Sequence, residues 1–374
     1  MKPSWKSLLG LLIGLGLAAC SRPVSAPPHW VLVSQAGSST VAVVDPEAGT
    51  VVKRLTVGLL PHRLLVSPDR ASVYVVLVGS QAVAELDLTT LSLRRTFLTA
   101  AVPLRREDGS VIQAHQDQDA FSHTTCYDCH GGGSAKPAIV GTRPFGITLS
   151  PDGLKLIVSQ IRGGDLVVLD REKGSLERTL PLEPTGSAHE AADVALMNGS
   201  FYVALRPTPP ATTPAVIRRL DAKTLEFQSE APTGSDPAML LPDPERSRVL
   251  VSNFETNTLS AFDASGRTLT YTVTPGPLGM LKLPGDRLLS LNYYSNAVSL
   301  VDLKRGAVES VGLEFGGRKY VNPTHAALSP DGKLAYIVSS GTEGNLLVFD
   351  LGQKRVVRVI PIDGLSYDVV TVPR

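Results

Sequence analysis

Residues 144–170 read PFGITLSPDGLKLIVSQIRGGDLVVLD. Pro144 opens a short apolar run, Ser150-Pro151-Asp152-Gly153 makes a turn, a second apolar run follows, and a third closes on Asp170. In the turn, proline sets φ, aspartate bonds its own backbone and glycine takes φ > 0. Short runs rich in β-branched residues between such turns read as strands. The unit recurs along the chain. Strands ending in aspartate are VAVVD at Asp45, AVAELD at Asp87, VIRRLD at Asp221, LSAFD at Asp263, AVSLVD at Asp302 and NLLVFD at Asp350, with Asp170 the third of the set. The intervals are 42, 83, 51, 42, 39 and 48 residues. The opening element keeps phase: Pro61 leads into LLVSPD, Pro323 into AALSPDG, and Pro237 into the degenerate LLPDPE. A turn and a further strand follow each aspartate, as in TVVKRLTV at 50–57 and RVVRVI at 355–360.

A four-strand unit at this period predicts an all-β, seven-bladed β-propeller, one blade per aspartate. The first copy starts late: WVLVS at 30–34 matches a second strand with no inner strand before it. LSYDVVT at 365–371 follows the last blade and is expected to pair beside 30–34, closing the ring and removing an open edge. The competing count is eight blades, with one hidden in the 83-residue interval. The repeats resemble the YVTN (YncE-like) family of β-propeller repeats over nearly all of residues 29–374; the Ser-Pro-Asp-Gly element is shared by propellers more widely. The resemblance implies the propeller fold.

The N-terminus reads as a processing signal outside the fold. Lys2 and Lys6 precede an apolar run at 8–17, too short to span a bilayer comfortably, which ends in Leu17-Ala18-Ala19-Cys20. That tetrapeptide resembles the lipobox of bacterial lipoproteins. It implies a signal peptide at 1–19, a lipidated Cys20, a tether at 20–28 and a cell-envelope location on the periplasmic or outer-surface side, anchored to a membrane by acyl chains. The alternative is an ordinary signal peptide with an incidental cysteine. Acidic and basic residues nearly cancel, 35 against 36, so no basic stripe argues for nucleic acid. Three cysteines, each with an assigned role, do not make a disulfide framework.

Blades 1–2 are assigned to 29–101, and blades 3–7 plus the closing strand to 143–374. Between them, residues 102–142 show no strand alternation. A polar, glycine-rich loop of this length inside a compact fold signals function. It contains Cys126-Tyr127-Asp128-Cys129-His130, the C-x-x-C-H signature of covalent haem c attachment. Two thiols at this spacing add to the two haem vinyl groups, and the adjacent His130 is placed to ligate iron on the proximal side. A C-x-x-C disulfide and a zinc site are the competing chemistries. Adjacent Cys129 and His130 fit poorly in one zinc tetrahedron.

Met1 and Met197 are consecutive methionines, so the insertion supplies no methionine as sixth ligand. His115 is the favoured distal ligand. His123, so close to Cys126 that wrapping around the haem is strained, is weaker, as are His62 and His325 at blade entrances. His189 also lies at an entrance, and Arg63 and Arg143 are placed to meet haem propionates. Each entrance histidine has an alternative role, bonding a neighbouring blade's backbone.

Three functions are compatible with these features. One is a membrane-tethered electron carrier that docks a redox protein or respiratory component. The second is a haem enzyme reducing peroxide, nitrite or a related oxidant. The third is a non-redox binding propeller. Some propellers with YVTN-like repeats carry peroxidase-like haem segments between blades, and the haem d1 propeller of cytochrome cd1 nitrite reductase is a more distant likeness. A single C-x-x-C-H departs from the two-haem peroxidase pattern and favours the carrier.

Overall fold

The computed structural model describes residues 28–100, 105–106, 139–140, 143–161, 164–182, 189–207 and 213–374. Seven four-stranded antiparallel sheets follow one another around a ring. The innermost strands are Ser366–Pro373 in blade 1, then Pro61–Val66, Arg143–Leu149, His189–Met197, Pro237–Asp243, Pro277–Leu283 and Pro323–Leu328 in blades 2 to 7. The count is therefore seven, not eight. The chain's last strand lies against its first: Trp30 stands opposite Val372, Leu32 opposite Val370 and Val33 opposite Val369. The C-terminus thus supplies the inner strand that the first repeat lacks.

The ring is held together between blades. Seven buried apolar clusters occupy the seven seams, each drawing side chains from two successive blades. Both faces of the middle strands are consequently buried. Val41, Ala42, Val43 and Val44 are all fully covered, which is why these strands read as continuous apolar runs. Outer strands such as Thr50–Thr56 are mostly exposed and carry the charged residues.

The recurring aspartate has a local cause. At Asp45, Asp87, Asp170, Asp221, Asp302 and Asp350, the carboxylate accepts the backbone N–H groups two and three residues ahead, tying off the turn to the outer strand. Asp263 takes one such bond, from Ser265. In the Ser-Pro-Asp-Gly turns, Gly153 and Gly332 sit at φ of 71°.

The interruption occupies the connection from the outer strand of blade 2, Ser92–Leu98, to the inner strand of blade 3. Arg105–Arg106 pairs antiparallel with Ile139–Val140, so the excursion leaves and returns at one place. Val140 is three residues from Arg143, within about 11 Å even for extended chain. The insertion root therefore stands on the rim where all inner strands begin. Cys20, His115, His123, Cys126, Cys129 and His130 lie outside the described residues.

Candidate functional site

Each inner strand enters the ring at the rim and makes a register shift near its entrance: at Pro61/Leu64, Pro144/Ile147, Ala191/Asp193, Pro237/Met239, Pro277/Gly279, Pro323/Ala326, and at Val33/Gln35 opposite Ser366–Pro373. Bulges re-aim the residues they contain. Here they bring side chains from non-neighbouring blades into contact over the central channel.

Arg63 of blade 2 is the centre of this arrangement. One guanidinium nitrogen donates to His325 Nε2 of blade 7 at 2.5 Å, and another to Asp193 Oδ2 of blade 4 at 3.4 Å. The arginine thus spans the channel, with a side chain only 14% exposed. Asp193 and Asp368 also act as staples between blades. Asp193 Oδ2 accepts the Leu240 N–H of blade 5 at 2.9 Å, and Asp368 Oδ2 accepts the Leu64 N–H of blade 2 at 2.9 Å. Each binds the following N–H in its own strand as well, that of Val194 at 2.9 Å and of Val369 at 2.8 Å. Burial pushes both carboxyl pKa values up, against the pull of Arg63 and these N–H groups. Burial works against the charge of Arg63 too, yet Asp193 and Asp368 outweigh it and hold the guanidinium pKa above its ordinary value.

His325 links this charged group to a set of aromatic rings. His62 stacks on Tyr367 with ring centres 3.4 Å apart and meets Phe145 at 4.2 Å, while His325 lies 4.8 Å from Tyr367. Tyr367 continues into a cluster with Phe254 and Leu278, flanked by Ala238 and Tyr293. Blades 1, 2, 3, 5, 6 and 7 all contribute. Close approach of the strands demands glycine at two points. A Cβ on Gly146 would stand 2.2 Å from Asp193 Oδ1, and one on Gly279 2.1 Å from Thr324 O, both below any real contact.

Of the residues singled out in the sequence, His62, Arg63 and His325 come together at the channel mouth, with Arg143 buried at the entrance of blade 3. His189 Nε2 lies 3.0 Å from Pro214 O, a backbone contact within its own blade and not with a neighbouring one. Asp193 pairs with Arg63. An arginine can only donate, so Nε2 of His325 is the acceptor in its contact and its lone pair is occupied. His62 is packed between two rings. Among the described residues no group of three or more His, Cys, Asp or Glu is placed to hold a metal ion. Sequence reasoning missed Asp193, Asp368, Phe145 and Tyr367. The signal that could have found Phe145, Tyr367 and Asp368 is position: they sit one or two places into the inner strand, as His62, Arg63 and His325 do, whereas Asp193 sits four places in.

No known family's profile matches the chain, and no curated protein matches it. Solved structures do. A putative 6-phosphogluconolactonase from Bacteroides fragilis NCTC 9343 is 16% identical with a TM-score of 0.65, covering 94% of this chain and 99% of that one. Hydrazine synthase of Kuenenia stuttgartiensis is 15% identical, TM-score 0.59, over 92% and 99%. The dihydro-haem d1 dehydrogenase NirN, in complex with DHE, is 17% identical, TM-score 0.57, over 93% and 77%. The body is a β-propeller. At these identities the likeness is one of fold alone.

Proposed function

We propose that the protein is a membrane-anchored, extracytoplasmic c-type cytochrome with a propeller body of YVTN type, passing electrons to or from a redox partner. The observation that carries this reading is the position of the C-x-x-C-H segment, 126–130, in a chain excursion whose two ends are hydrogen-bonded together at the propeller rim. Cys126 and Cys129 form the thioether links and His130 is the proximal ligand. His115, with fifteen residues of chain to cross to the other haem face, is the distal one, ahead of His123. When bound, the haem supplies a one-electron couple. At the rim His62 is buried between the rings of Phe145 and Tyr367, beside the charge of Arg63, an apolar and cationic neighbourhood that accords with a haem held nearby. The propeller histidines are left as packing groups, because His325 Nε2 already accepts from Arg63 and His62 is stacked between rings. One structural neighbour, NirN, is by name a dihydro-haem d1 dehydrogenase, which accords with a haem-handling role.

The test is haem staining of the denatured protein, made with its attachment machinery, together with a reduced pyridine spectrum. Wild type stains, and the Cys126→Ala/Cys129→Ala protein does not. A colourless wild type sinks the proposal. His115→Ala then turns a low-spin ferric spectrum high-spin and admits cyanide rapidly. A carrier gains from two strong axial ligands, whereas a catalyst needs an open iron position. Wild-type protein that is already high-spin and binds cyanide quickly makes the haem a catalyst of small-oxidant reduction.

A further inference from the structure

We propose that the seam between blades 2 and 3, at the root of the insertion, binds a calcium ion through Thr99, Gln160 and Asp165. Three buried oxygens there have no hydrogen-bond partner among the described residues: Thr99 Oγ1, Gln160 Oε1 and Asp165 Oδ1. Thr99 and Gln160 are each 1% exposed. Strand alternation directs them into one crevice. Phe97 of blade 2 meets Val158 and Val167 of blade 3 in a single buried cluster. Thr99 lies two residues beyond Phe97, and its N–H still bonds Gln81 O at 2.9 Å, extending the same ladder. Gln160 lies two beyond Val158, Asp165 two before Val167, and the two stand directly opposite each other. Residues two apart in a strand share a face, and opposed residues of an antiparallel pair have adjacent side chains. The three oxygens therefore cap the rim end of that cluster together.

In the corresponding hairpins of blades 1 and 5 the carboxamide is engaged by its partner strand, although Gln35 Nε2 of blade 1 is itself left without a hydrogen bond among the described residues. In blade 1, Thr40 donates to Gln35 Oε1 at 3.0 Å, and in blade 5, Asn253 donates to Thr258 at 3.1 Å and to Ser260 at 2.9 Å. In blade 2 the pair is apolar, Leu77 with Ala82. Blade 3 alone among these sets a carboxamide against a carboxylate and leaves both oxygens open. Burial shifts the Asp165 carboxyl upward, with no opposing cation among the described residues. Hydroxyl, carboxamide and carboxylate oxygens without nitrogen or sulfur form a ligand set for a hard cation. Calcium accepts irregular sets of six to eight oxygens, main-chain carbonyls and waters included, whereas magnesium demands a near-ideal octahedron. The site belongs to the propeller and does not depend on the haem. Its position has a consequence for the insertion: Thr99 stands just before it and Gln160 opposite Pro144 just after it, so an ion there ties its two ends to one seam.

The experiment is calorimetric titration of the full-length, chelator-treated protein with calcium chloride, paired with thermal melts. One ion is expected per chain, with a Kd on the order of 10⁻⁴–10⁻³ M, the range of weak extracellular sites. Ten millimolar calcium should raise Tm by about 2 °C or more. Asp165→Asn should weaken binding at least tenfold, while melting in chelator at or above wild type, because the amide removes a buried charge. Thr99→Val, nearly isosteric, should weaken it several-fold and serves if the first variant folds poorly. Absence of a calcium response in wild type, an unchanged response in both variants, or an equal response to magnesium would each overturn the proposal.

Discussion

Replacing Asp368 by alanine strands two buried N–H groups at the junction between the chain's last strand and blade 2. The Leu64 N–H loses an acceptor at 2.9 Å and the Val369 N–H one at 2.8 Å. A buried donor left without a partner costs about 1–3 kcal/mol. Two such donors put the expected loss at about 2–6 kcal/mol, a large share of the roughly 5–15 kcal/mol that holds a domain folded. Asp368→Asn keeps one oxygen for one N–H and turns its amide toward the other, so it should lose about half as much. Because burial raises the folded carboxyl pKa, the wild type binds that proton more tightly when folded, and its stability falls as pH rises through the folded value. The asparagine variant has no such group, so its deficit should be wider in mild acid than at neutral pH. Denaturant unfolding reads these differences as shifts of the midpoint at constant m-value. An alanine variant within about 0.5 kcal/mol of wild type would refute the reasoning, since water would then replace the inter-blade bond without loss.

Three further outcomes are expected. Deleting residues 365–374 removes the whole inner strand of blade 1, including buried Tyr367, Val369 and Val372, and should unfold the ring cooperatively; a truncated protein with the parental Tm contradicts closure by that strand. In acid, the turn aspartates Asp45, Asp87, Asp170, Asp221, Asp263 and Asp302, whose carboxyl pKa values are lowered chiefly by hydrogen bonds, should release stability as pH falls below about 4, Asp87 at about 2 and Asp170, lowered furthest, after it; a Tm that is flat from pH 5 to 2 would show that these turns contribute nothing. Cys20→Ala should move the protein from membrane to soluble fractions, and unchanged detergent partitioning would place the anchor elsewhere.

The ring, its count and its closure were legible in the chain because they depend on local chemistry repeated in order. Each aspartate needs only the two N–H groups just ahead of it, each Ser-Pro-Asp-Gly turn only its own four residues, and the missing first strand declares itself as an extra last one. The C-x-x-C-H spacing is equally local. The channel mouth is different. Arg63 meets His325 across 262 positions of sequence and Asp193 across 130, and nothing in either segment encodes the other. Which side chains face the channel is decided by register shifts at the strand entrances, and strand alternation carries no trace of a bulge. The same holds for the seam: Phe97 joins Val158 and Val167 only once blade 2 packs on blade 3. Sequence by itself determines what repeats along the chain; which residues meet across the axis and the seams is settled when seven separately patterned sheets are forced to share one centre.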